Sequence, residues 1–305
     1  MPKNEGHEYE ERIGPDAVGD TVLDYLTRKY RHSTRAEWES RIGSGRVLLD
    51  SEPSCADSRM RRGQRLVWRR PPWDEPAAPP EIATLFEDDD LLAVAKPAGL
   101  PTLPGAGFLQ TTLLHQVRLR APEAAPLHRL GRWTSGVVLF ARTRGARAAL
   151  SGQWASLEIG KRYRALASGE PVRQEFTVAV PIGPVPHPLL GSVHAAARDG
   201  KPASSRVTVV ELRAGAFLCD VAIATGRPHQ IRIHLAAAGH PLVGDPLYGE
   251  GGAPRPGARA VPGDPGYLLH SAALSFRHPR TAHRIEVECE PPPQLRSSCP
   301  DRRSR

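Results

Sequence analysis

The sequence predicts an α+β fold organised around a mixed, largely antiparallel sheet. Three observations carry that prediction. Strand-like apolar runs outnumber helical ones and do not alternate with them as a doubly wound sheet requires. Pro at 31 and Gly at 28 of 305 residues supply many turns and loop breaks. A stiff Pro-rich stretch, PPWDEPAAPP, divides a small basic unit from a larger mixed one. The expected organisation is a polar tail over 1–15, a small α/β unit over 16–70, a linker over 71–80, a large α+β domain over 81–292 and a basic tail over 293–305.

The elements follow in order. Val22, Leu23 and Leu26 form one helical face in TVLDYLTRKY, and Thr34 with Glu37 three residues on reads as a capping box opening a second helix. GSG turns the chain into a short strand at Arg46–Leu49, and RLVWRR is another. Beyond the linker, IATLF and LLAVA are strands around the acidic turn EDDD, TTLLHQVRLR has helical spacing, and GVVLFA reads as a buried strand. Thr143 caps the helix RGARAALSGQWASLE. KRYRALA, FTVAV, SRVTVVEL, FLCDVAIA and LLHSAALSF are strands; HQIRIHLAAAG is a helix stopped at Gly239 with Pro241 beyond.

Composition narrows the function. The chain carries a net charge of +8, which favours an acidic partner, nucleic acid above all. Between Arg28 and Arg70, twelve Lys/Arg stand against five Asp/Glu. Such an excess on a compact unit suits phosphate tracking, and Arg28, Lys29, Arg35, Arg41, Arg61 and Arg62 are its candidate contacts. Cys55, Cys219, Cys289 and Cys299 form no CxxC pair, so a reduced, cytoplasmic chain is expected. MPKNEGHEYEER has no apolar core and reads as no signal peptide, and no apolar run approaches the ~18 residues of a membrane span.

Several weak signals are set aside. His229, His234 and His240 lack the HExxH spacing, so no metal site is expected. GLPTLPGAG is not a phosphate-binding loop, and Ser135 lacks the GxSxG frame of a nucleophile elbow. Three polar clusters remain: LHRLGRWTSG, the triplet Lys161-Arg162-Tyr163, and ATGRPHQIRIHLAAAGHPLVGDPLYG. In the last, a helix from His229 aligns His229, Arg232 and Ala236 on one face, with Ile231, His234 and Leu235 turned toward the core. Arg232 near a helix start makes a positive site for a phosphate or a carboxylate.

Together these clusters resemble the RluA type of RNA pseudouridine synthase over most of residues 20–290. FEDDDLLAVAKPAGLPTLPG resembles the opening of that family's catalytic domain, HRLGRWTSGVVLFA its HRLDxxTSG signature, KRYRAL its KxYxA strand, TGRPHQIRIHLAAAG its GRxHQIRxH segment and LLHSAALSFRHP its LHAxxLxFxHP ending. Residues 16–70 resemble the S4-like RNA-binding domain that often precedes it. The resemblance implies uridine isomerisation in ribosomal RNA or tRNA, without cofactor or metal; the chain itself is expected to be a monomer. It implies that Tyr163 stacks on the uracil, that Arg232 holds the catalytic aspartate, that Arg129 helps extrude the nucleotide and that Leu269 packs on the base. Lys96, Arg132, Thr134 and His229 join them as expected RNA or base contacts.

One position departs from the pattern. The family aspartate falls at Gly131, which has no side chain to attack or abstract with. Two outcomes are open: an active synthase using another group, or an RNA-binding protein that keeps the pocket without the chemistry. Arg232, so placed, also needs a new partner, because an unpaired buried guanidinium costs several kcal/mol. Water, an RNA phosphate or a relocated carboxylate could serve. Asp245 leads the carboxylates, ahead of Asp199 and Glu170, although a turn aspartate bonding local N–H groups is the plainer expectation for it.

Overall fold

The structure, a computed structural model, describes residues 3–79 and 81–298. Two compact units divide between Glu75 and Pro76. In the first, strands β1 (His7–Arg12), β2 (Val47–Leu49), β3 (Glu52–Pro53) and β4 (Arg65–Arg70) form an antiparallel sheet in the order β1-β4-β2-β3, with helices α1 (Val22–Lys29) and α2 (Arg35–Gly43). Thr21 caps α1 by accepting the Asp24 N–H, and Thr34 with Glu37 makes the capping box on α2. Leu23, Leu26, Trp38, Ile42, Val47 and Leu66 pack as its core.

The polar tail expected over 1–15 is not a tail. HEYEER forms β1 and pairs along the whole of β4, because its alternating acids meet arginines across the pair: Glu8 with Arg69 and Glu10 with Arg65. The Pro-rich stretch, expected as a stiff, extended spacer, makes hydrogen bonds of its own. Asn4 donates to Glu75 at 2.8 Å and accepts from Trp73 N–H, while the Pro76 and Pro79 carbonyls accept from Thr111 and Gln116 in the second unit.

The second unit holds β5 (Ala83–Glu87), β6 (Leu91–Lys96), β7 (Ala125–Pro126), β8 (Ser135–Ala141), β9 (Gly160–Ser168), β10 (Glu175–Val178), β11 (Ile182–His187), β12 (Gly191–Ala196), β13 (Ser205–Arg213), β14 (Ala216–Ile223), β15 (Leu269–Arg277) and β16 (Arg284–Glu288). Its helices are α3 (Leu113–Arg118), α4 (Arg144–Ala155) and α5 (Gln230–Ala237). Ten strands form one sheet in the order β10-β13-β14-β9-β15-β8-β6-β5, with β16 on β15 and β7 on β8; β11 and β12 form a separate hairpin. Every pairing in the large sheet is antiparallel except β8 with β15.

The apolar runs of β6 and β8 are explained by cover on both faces. Val138 and Phe140 pack with Leu92, Val94 and α3 residues Leu113 and Val117; Val137 and Leu139 pack with Leu91, Ala93 and α4 residue Leu150. The basic tail expected from 293 is again partly structured. Leu295 is buried, Arg213 donates to the Gln294 and Arg296 carbonyls, and Glu211 accepts from Ser297 and Ser298. Residues 299–305, with Cys299, lie outside the described residues. No described helix is long and apolar enough to cross a membrane.

Candidate active site

The parallel junction of β8 and β15 anchors the site. Ser135 lies opposite His270 and Gly136 opposite Ser271. Gly136 has φ 108°, and a Cβ there would meet the Ser271 carbonyl oxygen at 2.2 Å, so the glycine of TSG is required by close backbone approach. The preceding loop, HRLGRWTSG, is laced to the KPAGLPT segment. Lys96 Nζ donates to the carbonyls of Pro97, Leu100 and Arg132, at 2.9, 2.7 and 2.9 Å. Thr102 Oγ1 donates to the Leu130 carbonyl, and Arg132 Nε to that of Gly99. Lys96 is therefore a buried tie and does not reach the cleft; burial, then the charge of Arg132, push its pKa down to about 7.

With the loop fixed, Gly131 opens onto a cleft of about 580 Å³. Arg129, Arg132, Thr134, Tyr163, His229, Arg232 and Leu269 line it too, so all the expected contacts in the second unit except Lys96 converge. Arg129 is exposed at the cleft, whereas Arg132 lies over the Phe108 ring. Tyr163 and Leu269 are buried beneath, and burial raises the Tyr163 phenol to about 12, so it is neutral at pH 7. Lys161 adds a cation two residues from Tyr163, on the same side of β9, and Nζ donates to the Ala224 carbonyl. His128 is no base: its Nε2 accepts the Leu139 N–H, its ring stacks on Trp154, and burial pushes it down to about 4.

Helix α5 forms the other wall. His229 precedes it in the left-handed region, φ 55°, and every residue from Gln230 to Ala236 is buried, so the helix has no polar face of the kind the sequence spacing predicts. Gln230 fixes its start by donating to the Ser204 carbonyl and accepting from Thr225 and Arg227. Tyr248 OH donates to the His194 carbonyl, so His229 donates to the phenol oxygen through Nδ1 at 2.7 Å. Burial and the charge of Arg232 hold that ring neutral, near 3. The three histidines stay apart: His234 bonds Ser205 and the Val180 carbonyl, and His240 bonds the Ser168 carbonyl.

Arg232 has its partner. Nε donates to Asp245 Oδ2 at 2.7 Å and Nη2 to Oδ1 at 2.8 Å, with both side chains almost fully buried. Burial opposes the guanidinium charge and the Asp245 bonds outweigh it, so the Arg232 pKa is raised. Asp245 also accepts the Leu247 and Tyr248 N–H groups. It is thus both the ion-pair partner and the turn aspartate, two roles the sequence set against each other. With its oxygens committed to four donors, it faces no substrate. Asp199 and Glu170 are exposed and line no part of the cleft. Among the described residues, no carboxylate lines it at all.

Tyr267 is the cleft residue the sequence does not announce. It stacks on the Arg232 guanidinium with 4.0 Å from the cation to the ring centre, and it belongs to none of the motifs. In the first unit, most of the expected phosphate contacts are engaged: Arg28 with Asp20, Lys29 with Glu11, Arg35 with Asp24, and Arg41 over the Trp38 and Trp68 rings. Arg61 and Arg62 are exposed on the turn before β4, with no ion pair among the described residues.

A cleft whose charged lining is wholly cationic, set against a long mixed sheet, is suited to a polyanionic partner such as nucleic acid. The RNA pseudouridylate synthase profile matches residues 90–237. An uncharacterized RNA pseudouridine synthase of Synechocystis is 40% identical over 90% of this chain and 95% of its own length. The ribosomal large subunit pseudouridine synthase D of Neisseria meningitidis is 33% identical over 90% of this chain and 76% of its own. The structure of human RNA pseudouridylate synthase domain containing 1 superposes with a TM-score of 0.56 at 28% identity, covering 73% of this chain and 89% of that one. The chain belongs to the RNA pseudouridine synthase family, and its reaction is the isomerisation of uridine to pseudouridine in RNA.

Proposed function

We propose that this isomerase modifies uridines of large-subunit ribosomal RNA, in the cytoplasm, and that it does so with glycine where the family motif carries aspartate. One observation carries the reading: Gly131, Tyr163, Arg232 and Leu269, drawn from four separated motifs, line a single cleft with Arg129 at hand. The name of the Neisseria relative supports a ribosomal substrate. The net charge of +8 supports a polyanionic one. A monomer suffices, since one chain supplies the whole lining. In this reading Tyr163 stacks on the uracil, Leu269 packs on it, and Arg129 fills the stack that the base leaves. That extrusion costs roughly a few kcal/mol. No metal or cofactor enters. Residues 16–70 act as an S4-like RNA holder, with Arg61 and Arg62 as the free phosphate contacts.

The test is pseudouridine mapping of ribosomal RNA and tRNA from a strain lacking the gene and from its parent. Loss of one or a few sites in large-subunit RNA, restored by the gene, is expected. An unchanged ribosomal map, with loss in tRNA alone, contradicts the substrate assignment. In the same strain, Arg61→Glu/Arg62→Glu should restore the sites only partly, and full restoration contradicts the role of the first unit.

A further inference from the structure

Gly131 is not demanded by its backbone, which lies outside the left-handed region. Its size is matched instead to a neighbour. A Cβ built at position 131 would lie 3.1 Å from the Tyr267 hydroxyl and 3.5 Å from Thr134 Oγ1. The Tyr267 hydroxyl thus stands within reach of where a carboxylate side chain on residue 131 would project. Among the described residues its one hydrogen-bonding neighbour is Thr134 Oγ1, at a long 3.4 Å. The ring is held by the Arg232 guanidinium, itself locked on Asp245, and the residue lines the cleft. No carboxylate does so among the described residues.

We propose that the Tyr267 hydroxyl oxygen replaces the missing carboxylate as the general base of the isomerisation, a role that rests on the function proposed above. A phenolate is a stronger base than a carboxylate, which suits removal of a proton from carbon better than attack on carbon followed by departure. The step balances without oxidant or co-reactant. The Tyr267 phenol first gives its proton to solvent, and its oxygen then takes the C2′ proton of the uridine; the C–H electrons form the C1′–C2′ double bond, and the C1′–N1 pair leaves with uracil. The uracil anion turns. Its C5 then bonds to C1′ while C2′ recovers the proton from the Tyr267 hydroxyl. C5 finally loses its proton to solvent and N1 gains one. Thr134 and Arg232 position the phenol and do not touch the reacting atoms.

The experiment compares the unaltered protein, Tyr267→Phe and Gly131→Asp/Tyr267→Phe in single-turnover pseudouridine formation on ribosomal RNA from the deletion strain, with RNA affinity and melting temperature measured alongside. The expected result is a loss of roughly 10²–10⁴-fold in rate for Tyr267→Phe, with affinity and melting unchanged and substantial activity regained by the double variant. Tyr267→Phe turning over at the unaltered rate overturns the proposal. So does a rate loss matched by an equal loss of RNA affinity, which marks a binding or structural role. An inert unaltered protein brings down the proposed function itself, and the base assignment with it.

Discussion

Lys96 shows how a residue read as a contact can turn out to be a tie. KPAG is conspicuous in sequence, but the acceptors of Lys96 are backbone carbonyls, one of them 36 positions away on Arg132, and backbone placement leaves no trace in residue types. Its pKa falls from 10.5 to about 7 on burial. Between those values the unfolded chain binds the proton that the folded chain releases, so this group makes stability rise with pH across that window. Urea melts of the unaltered protein and Lys96→Met between pH 7 and 9.5 should show the stability of the former climbing relative to the latter; parallel pH dependences would contradict this. Tyr267 was illegible for a similar reason. It belongs to no motif, and its importance comes from the space that Gly131 leaves. Asp245, by contrast, could be named from sequence, because GDPLYG follows the helix bearing Arg232 closely enough for the chain to return.

At the scale of elements, strands with unbroken or alternating apolar patterns were readable, and β6, β8, β9 and β13–β15 fall where the sequence places them to within a residue or two. The hairpin of β11 and β12 was not. Pro184 and Pro186 interrupt its first strand, and a strand with proline is tolerated here because the hairpin stands apart from the main sheet. The acidic β1 was missed because its pattern is one of charge that only pairs with β4 make sensible. The segment after Pro293 was missed because a few hydrogen bonds hold it. Glu211 accepts from Ser298 N–H, Arg213, and the Ser297 and Ser298 hydroxyls, and those bonds hold its pKa down to about 2. Its ordinary value is 4.5, so the stabilising contribution is intact above that and fades as pH falls toward 2. In Glu211→Gln, amide exchange at 296–298 should quicken while β8 and β9 stay protected. Unchanged exchange at 296–298 would show that Leu295 burial alone anchors the segment.

For the whole molecule, the fold class and the family were both present in the order of motifs, since β8, β9, α5 and β15 each carry one and the sheet topology gathers them. What the sequence posed without answering was whether a cleft with glycine at 131 still works. The structure narrows the question: the loop is fixed, the Arg232 charge is compensated, and the cleft is intact. Tritium release from ribosomal RNA labelled at uridine C5, with the unaltered protein and EDTA present, tests this most directly. Steady release, stoichiometric with the modified uridine and indifferent to EDTA, is the predicted result. No release from the ribosomal RNA of a strain lacking the gene would contradict the account.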